Sequence, residues 1–495
     1  MKAPRPTLIR AGLLGLLALL LLGIGSLGFA LLRPPAAERV LILRSSLDSQ
    51  GQEVGPGLET LLSDYMEILS GATVTHGKAL PSTAELQRLP PGMRLLRFQG
   101  RRDKDLLALS LEWNTVARLL ATQPWVSDVA PPREPTKTMD HVVQHWPLIT
   151  QVRHLNELLP RTPGNFWLLL EGLSIREDLA ASGHLPRSWQ LVEEEPGCAT
   201  AWAALGDHLY RSLWVNPEEA GVGLNSRTHH AFRKAVDLVP GYPRATFLWS
   251  LMLTDTGNQS PALRLLKEAI RMRPGSADLY LGVAYASRTS GLLEGARRAL
   301  VRRNDLLGHL ASPSAWFAET TYLYLGDQAA FGQELLRVRS LRQDASTFFY
   351  QGYFALLQGQ RREALAFMAA GSDPAMDPTP FRDLCRAYRA YLEGRVTEGL
   401  QLLHEVDEVR GKLRIPDGEW TFKEAEAYSL LGDADHGIDC ATRAFVQGFS
   451  CANWYEASPF LARVRTHPRW PTLRRNVRER QAELAGSFPP AAFDP

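Results

Sequence analysis

A pattern of small and apolar residues recurs about every 34 residues between positions 166 and 448, and this period limits the possible folds most strongly. In one copy Leu253 precedes Gly257, and Ala262 and Leu266 follow it. Two helices joined at a glycine give this spacing, because small residues lie where helices cross closely and glycine ends the first helix. The chain is therefore predicted to contain an array of helical hairpins.

Neighbouring copies support the same frame. About 34 residues after the copy around Gly257, the matching positions hold Val283, Gly291 and Ala296. In the copy before it they hold Gly206 and Phe232, with an insertion between the two helices. Later copies are less regular, and their turn glycines are Gly326, Gly359, Gly394 and Gly432. We expect about eight hairpins within residues 138–480, a polar last helix that shields the open end, and a flexible tail over residues 481–495.

Residues 38–135 have a different pattern, which predicts a small α/β domain with the order β-α-β-α-β-β-β. Ser82 is the expected cap of its second helix. Pro131, Pro132 and Pro135 are expected to form a stiff linker to the hairpins. The predicted elements are strand Arg39–Leu47, helix Pro56–Leu69, strand Ala72–His76, helix Ser82–Leu89, and strands Met93–Phe98, Leu106–Trp113 and Trp125–Ala130.

An apolar segment near the N-terminus predicts a membrane anchor. Residues Ala11–Leu32 carry no charge, and a helix of this length spans about 33 Å, enough to cross a hydrocarbon core of about 30 Å. A cleaved signal peptide is the alternative, but its apolar region is usually about 7–15 residues. We interpret residues 1–10 as a basic cytoplasmic N-terminus. Arginines lie on both sides of the segment, so charge alone barely decides its orientation.

Composition and motifs argue against several classes of function. A formal net charge of +2 over 495 residues does not favour binding to nucleic acid. The four cysteines form no CxxC pair, and no nucleotide-binding glycine loop, HExxH or GxSxG motif is present. His141 and His145 are interpreted as a surface pair, and Asp433 as part of a repeat turn. We therefore predict no catalytic residues, no cofactor and no metal site.

The repeat and two segments near the end of the chain resemble a known family. The two segments are AYSLLGDADHGIDCATRAFVQGF (Ala427–Phe449) and SPFLARVRTHPRWPTLRRNV (Ser458–Val477). It consists of bacterial tetratricopeptide repeat (TPR) proteins that carry an extracytoplasmic TolB-amino-terminal-like (FlgO-like) domain. Residues 39–130 are similar to that domain in element order and in the hairpin Arg94–Trp113. One departure is Arg44-Ser45, which replaces the Pro-Phe usual in the family after the first strand.

The resemblance implies the overall organisation. The fold class is mainly α, with an N-terminal transmembrane helix, a small α/β domain and an α-solenoid of TPR-like hairpins. The implied location is the bacterial inner membrane, with a single pass and the bulk of the chain in the periplasm. Family members are often fused through their membrane helix to a cytoplasmic kinase, cyclase or winged-helix regulator. The ten residues before the apolar segment are too few for such a domain, so any output is expected to come from another protein.

The resemblance also implies a partner-binding groove, lined by the first helix of each hairpin. Such a groove would be aromatic, as partner-binding hot spots commonly are. The alternative is that about half of these residues belong to the hairpin core. The residues at the groove positions are Phe247, Tyr285, Arg288, Trp316, Phe349, Tyr353, Tyr388, Tyr391 and Phe422.

The resulting functional hypothesis is a membrane-anchored scaffold that binds a protein or peptide partner and does not bind nucleic acid. The first alternative is a sensory subunit of an envelope signalling complex, which would act with a separate membrane-bound kinase or cyclase. The second is an enzyme that acts on envelope polymers, for which no set of residues provides support.

Overall fold

The computed structural model describes residues 38–44, 55–77, 80–103, 106–145, 155–174, 185–215, 223–308, 320–340, 343–376, 379–410 and 417–494. The apolar segment Ala11–Leu32 and Trp316 lie outside these ranges. Among the described residues, no helix is both long enough and apolar enough to cross a membrane.

A five-stranded sheet forms the N-terminal part of the described chain. The strand order is β2-β1-β3-β4-β5, with β1 parallel to β2 and β3, and β4 antiparallel to β3 and β5. The predicted order of elements is confirmed, with one additional short helix after β4. The elements are β1 (Arg39–Arg44), α1 (Gly55–Tyr65) with a π-helical end (Met66–Ser70), β2 (Thr73–Gly77), α2 (Thr83–Leu86), β3 (Arg94–Asp103), β4 (Leu106–Thr115), α3 (Val116–Leu120) and β5 (Val126–Arg133).

Strand β1 is buried on both faces of the sheet, because alternate side chains point in opposite directions. Val40 and Ile42 belong to the main hydrophobic core, which also contains residues of α1. Leu41 and Leu43 pack in a separate cluster with residues of α2 and α3, including Leu86. A continuous apolar strand is what two covered faces require.

The N-terminus of α2 is capped as predicted. The Ser82 hydroxyl accepts a hydrogen bond from the Glu85 backbone N–H, and the Glu85 carboxylate accepts one from the Ser82 backbone N–H. This reciprocal pair is a capping box, which satisfies two N–H groups that have no partner within the helix.

The predicted proline linker is wrong. Pro131 and Pro132 lie within β5, and Pro135 begins the next helix. Strand β5 tolerates Pro131 and Pro132 because it is an edge strand with one neighbour. Its pairing with β4 is also irregular between Leu107 and Leu109. Proline cannot donate to a ladder, so edges and bulges are where strands accept it.

In the described ranges, eight pairs of helices follow the sheet, as predicted. Helices α4 (Pro135–His145) and α5 (Leu155–Leu158) precede them. The eight hairpins are α6 (Pro163–Ser174) with α7 (Leu185–Glu194), α8 (Ala199–Val215) with α9 (Leu224–Leu238), α10 (Pro243–Asp255) with α11 (Gln259–Met272), α12 (Ala277–Thr289) with α13 (Leu293–Leu307), α14 (Thr320–Leu325) with α15 (Gln328–Arg339), α16 (Ala345–Leu357) with α17 (Arg361–Gly371), α18 (Pro380–Leu392) with α19 (Val396–Arg410), and α20 (Gly418–Leu431) with α21 (Ala434–Val446).

The turn glycines mark the hairpins as the sequence period predicted. Gly257 and Gly291 join the two helices of their hairpins and have φ angles of 81° and 75°. Other residues adopt this left-handed region only at a cost, which explains why glycine recurs there. The predicted later turns, at Gly326, Gly359, Gly394 and Gly432, also have positive φ angles.

The sheet domain is attached to the array by a buried polar contact. Asp64 on α1 accepts hydrogen bonds from the Tyr242 hydroxyl at 2.6 Å and from Arg244 Nε at 3.0 Å. The Thr73 hydroxyl also donates to the Gly275 carbonyl at 2.7 Å. Because these contacts are buried, the two parts pack as neighbours and are not separated by an extended linker.

The C-terminal end differs from the predicted flexible tail. Helix α22 (Ala452–Ala457), two short 3-10 turns (Pro459–Leu461 and Val464–Thr466), helix α23 (Trp470–Ser487) and a last 3-10 turn (Pro490–Phe493) follow the eighth hairpin. Phe488 and Phe493 stack with ring centroids 6.2 Å apart and are buried in the main core. Asp494 pairs with Arg298 of α13. The two buried rings hold the tail against the array.

Candidate functional site

The first helix of the eighth hairpin, α20, lies in the interior of the array. Every residue of α20 except Leu430 is buried. An amphipathic surface helix would bury only one stripe, so α20 has neighbours on all sides. Four of its buried residues are glutamates or lysines, and each charge removed from water requires a partner. These residues are Glu419, Lys423, Glu424 and Glu426.

Glu419 is bound by residues from two other hairpins. Its carboxylate accepts hydrogen bonds from Arg288 on α12 and from the Tyr324 hydroxyl on α14, each at 2.5 Å. Burial is the largest effect on Arg288 and by itself lowers its pKa, but the combined attraction of Glu419 and the neighbouring tyrosines raises the pKa above its ordinary value. The ion pair joins the fourth hairpin to the eighth in the interior of the array.

Glu426 and Lys423 form a second buried group, one turn further along α20. The Tyr353 hydroxyl donates to Glu426 at 2.9 Å and accepts a hydrogen bond from Lys423 Nζ at 2.9 Å. Lys423 Nζ also lies 3.2 Å from Glu426 Oε2. Tyr353 belongs to α16, so this group connects the sixth hairpin to the eighth.

A short segment that contains the 3-10 turn Pro459–Leu461 completes this second group. The Ser458 hydroxyl donates to Glu426 at 2.5 Å. The Phe460 ring meets Tyr353 edge-on, with centroids 4.9 Å apart and an interplanar angle of 85°, and it meets Tyr388 at 6.4 Å and 80°. We call Ser458–Leu461 the covering segment. It occupies the surface that the sixth and seventh hairpins would otherwise expose beside α20.

Most of the nine predicted groove residues are therefore buried in the array and do not line an open groove. Tyr391 is half-buried, and Trp316 lies outside the described residues. The physical reason is that α20 and the covering segment lie against the inner surface of the array. A partner reaches Tyr353 or Tyr388 only if the covering segment moves aside. The seven predicted residues that are buried are Phe247, Tyr285, Arg288, Phe349, Tyr353, Tyr388 and Phe422.

The prediction missed the acidic and hydroxyl partners of this surface. Glu419, Lys423 and Glu426 follow one another at helical spacing, beside the large aromatic residues Trp420 and Phe422. Such a charged stripe on a helix with large aromatic residues could have indicated a buried polar network. Ser458 carries no comparable signal, because serine followed by proline is common in turns.

A third polar group lies beside the fourth hairpin. Asp255 accepts hydrogen bonds from the hydroxyls of Tyr210 at 2.6 Å and Tyr285 at 2.7 Å. Burial raises the pKa of Asp255 to about 8, and repulsion from Asp417 adds to the effect of burial. Tyr285, one of the predicted groove residues, thus serves as a donor inside the array.

Tyr391 is the predicted residue that remains partly open to solvent. Its hydroxyl lies 3.4 Å from Arg361 Nη1, and the guanidinium stands 5.2 Å from the centre of its ring. Arg361 also lines an open depression of about 460 Å³ with Gln360, Arg362 and Glu363. A half-buried aromatic ring beside arginines is a second surface that can contact a partner.

Two groups of side chains at the seventh and eighth hairpins have the composition of metal ligands. One consists of His404, Asp433 and His436, and the other of Asp407, Glu424 and Cys440. In each group the ligand atoms lie within 4.8 Å of one another. Neither group was predicted, because its members come from different helices and have no motif spacing.

Comparison with known proteins gives little further information. No family model matches the chain, and no curated protein matches it. One solved structure that matches is described as "Crystal Structure of P58(IPK) TPR Domain at 2.5 A". It is 12% identical, covers 66% of this chain and 99% of its own, and has a TM-score of 0.18. At that score we base no conclusion on the likeness.

Proposed function

We propose that this chain is a non-catalytic scaffold that binds a protein or peptide partner. The array of eight hairpins supports this role, because stacked hairpins present extended surfaces to other chains. The uncharged segment Ala11–Leu32 supports anchoring in a membrane. The family resemblance supports the bacterial inner membrane, with the hairpins in the periplasm.

The observation that carries the proposal is the covering segment itself. Helices α16, α18 and α20 already hold this short stretch of chain, through the hydroxyl of Ser458 and the ring of Phe460. The surface therefore provides a carboxylate acceptor for a hydroxyl and an aromatic pocket for a ring. A partner of matching chemistry is a peptide with serine or threonine, then proline, then an aromatic residue.

Binding at this surface is controlled by competition. The covering segment is part of the same chain, so its effective concentration at the surface is high, on the order of millimolar for short flexible connections. A partner must displace it, and the apparent affinity falls in proportion to the fraction of chains that are open. The scaffold thus binds only partners that compete well or that act when the segment is released.

The test is affinity purification of the full-length protein from its native membrane. The variant Phe460→Ala removes the ring that contacts Tyr353 and weakens the covering segment. The control Phe381→Ala removes a ring that contacts Phe349 and Tyr350 instead, at centroid distances of 5.6 and 5.7 Å. We expect Phe460→Ala to recover more of a specific partner than either the wild type or the control.

A synthetic peptide with the sequence SPFLARVR, that of residues 458–465, should compete with this partner. A variant Tyr391→Ala provides the comparison with the second surface. If Tyr391→Ala loses the partner and Phe460→Ala changes nothing, the scaffold role stands and its site lies at Tyr391. If all variants recover the same proteins as an unrelated membrane protein, the scaffold proposal is wrong.

A further inference from the structure

His404, Asp433 and His436 lie close together where the seventh and eighth hairpins meet. His404 is on α19, Asp433 caps α21, and His436 is in the first turn of α21. His436 Nδ1 lies 2.7 Å from Asp433 Oδ2, and the rings of the two histidines have centroids 4.7 Å apart. One ligand atom from each residue lies within 4.8 Å of the other two.

This set of donors suits a divalent transition-metal ion. Two imidazoles and one carboxylate form a common ligand set for Zn²⁺, with water in the fourth position. Metal–ligand bonds of about 2.0–2.1 Å in tetrahedral geometry place ligand atoms roughly 3.3 Å apart. Both histidines are exposed, so small rotations of their side chains can close the remaining gap. Ca²⁺ and Mg²⁺ fit poorly, because they require oxygen ligands.

A buried hydroxyl fixes the tautomer of His404. The Tyr428 hydroxyl donates to Asp407 Oδ2 at 3.3 Å and lies 3.2 Å from His404 Nδ1. A hydroxyl that donates to the carboxylate accepts from the imidazole, so the proton of His404 is on Nδ1. Its Nε2 atom then carries the free electron pair. Metal-binding histidines almost always have this kind of partner on the other ring nitrogen.

The neighbouring group of Asp407, Glu424 and Cys440 is not an equivalent site, because a guanidinium already occupies it. Arg443 pairs with Asp407, its Nη2 atom lies 3.1 Å from Cys440 Sγ, and it lies 3.5 Å from Glu424 Oε2. A metal ion there would stand beside a fixed positive charge. The group of His404, Asp433 and His436 has the donor atoms for a metal ion. The other group supplies the Asp407 carboxylate, which orients His404 through the Tyr428 hydroxyl.

We propose that His404, Asp433 and His436 bind one divalent transition-metal ion of the Zn²⁺ class. The ion joins α19 to the beginning of α21 and so fastens the seventh hairpin to the eighth. Because α20 precedes α21 directly, the ion also holds the helix that carries Glu419 and Glu426. This inference does not depend on the proposed partner-binding function.

The test uses the full-length protein after treatment with a chelator and dialysis. Zn²⁺ binding is measured by calorimetry, and Co²⁺ replaces Zn²⁺ for absorption spectroscopy. We expect one ion per chain and a cobalt spectrum of nitrogen and oxygen ligands. His404→Gln and His436→Gln should abolish both signals. Tyr428→Phe keeps the ring but removes the orienting hydroxyl, and should weaken binding by about tenfold.

The matched control is His467→Gln. His467 lies nearby and pairs with Asp435 at 3.0 Å, but it does not belong to the group. This control should bind Zn²⁺ as the wild type does. Three results would overturn the proposal: no stoichiometric binding, unchanged binding in His404→Gln, or sulfur-to-cobalt charge-transfer absorption. The last would indicate that the ion binds Cys440 in the neighbouring group instead.

Discussion

Arg288 and Glu419 are separated by 131 positions in the chain and form an ion pair in the interior of the array. Only 2% and 6% of their side chains are exposed. The pair joins α12 of the fourth hairpin to α20 of the eighth. Because the cost of removing both charges from water largely offsets their attraction, we interpret the pair as fixing the position of α20 more than adding net stability.

Breaking this ion pair on one side should be strongly destabilising. Arg288→Met leaves the Glu419 carboxylate buried with an uncompensated charge, and we expect the free energy of unfolding to fall by roughly 3–5 kcal/mol. The double variant Arg288→Met with Glu419→Leu removes both charges and should lie closer to the wild type. Urea unfolding followed by tryptophan fluorescence measures both.

The control for this prediction is Arg297→Met, because Arg297 forms an exposed pair with Glu294 on α13. Its effect should stay within roughly 1 kcal/mol. Equal losses in Arg288→Met and Arg297→Met would show that the buried pair does not hold α20.

The hairpins could be predicted because their signal is local. Gly257 and Gly291 mark turns about 34 residues apart, and the residues that pack each pair of helices lie within one period. The contacts between distant hairpins could not be predicted in this way. Nothing in the sequence near Arg288 indicates that Glu419 is its partner, since that contact depends on how the whole array curves.

The burial of most predicted groove residues could not be predicted for the same reason. Tyr353 and Tyr388 lie on the first helices of their hairpins, and both side chains are buried. The occupant of the inner surface, Phe460, was not predicted. Periodicity indicates which face of a helix is apolar, but it does not indicate whether a partner or the same chain covers that face.

The stability of the chain should depend on the ionisation of Asp255. Burial raises the pKa of Asp255 to about 8, whereas an aspartate in the unfolded chain has a pKa of about 4. The folded state therefore binds more protons than the unfolded state between these values, and its stability falls as pH rises from about 4 to 8. Asp255→Asn cannot ionise, so this part of the pH dependence should disappear.

Thermal unfolding of the wild type and of Asp255→Asn at pH 5 and pH 8 measures the difference. The wild type should lose more of its Tm than the variant between the two pH values. The variant keeps one acceptor for Tyr210 or Tyr285, so it should remain folded at pH 5. Parallel curves for the two proteins would mean that Asp255 titrates in the folded state as it does in water.

The four thiols should be unreactive in the folded chain. Cys198, Cys385, Cys440 and Cys451 are all free and buried. Burial raises the pKa of Cys198 to about 11 and that of Cys451 to about 12, and it also raises the pKa values of the other two. Since the thiolate is the reactive form, a colorimetric thiol reagent should detect no thiols at neutral pH and four after denaturation. Fast reaction of the folded protein would contradict the buried positions.

Gly206 lies where the two helices of the second hairpin pack closely, against the ring of Phe232. A Cβ atom at this position would lie 2.6 Å from two ring atoms of Phe232, which is too close for either side chain to stay in place. Gly206→Ala should therefore lower the free energy of unfolding by about 1–3 kcal/mol, although alanine favours helices more than glycine does.

Gly164 provides the comparison, because it is also helical and a Cβ there would meet no atom within 4 Å. Gly164→Ala should be neutral or stabilising by up to roughly 1 kcal/mol. The double variant Gly206→Ala with Phe232→Leu makes room at the crossing and should recover part of the loss. If Gly206→Ala is as stable as Gly164→Ala, the helices are farther apart than the structure has them, and the small residues of the repeat do not serve close packing.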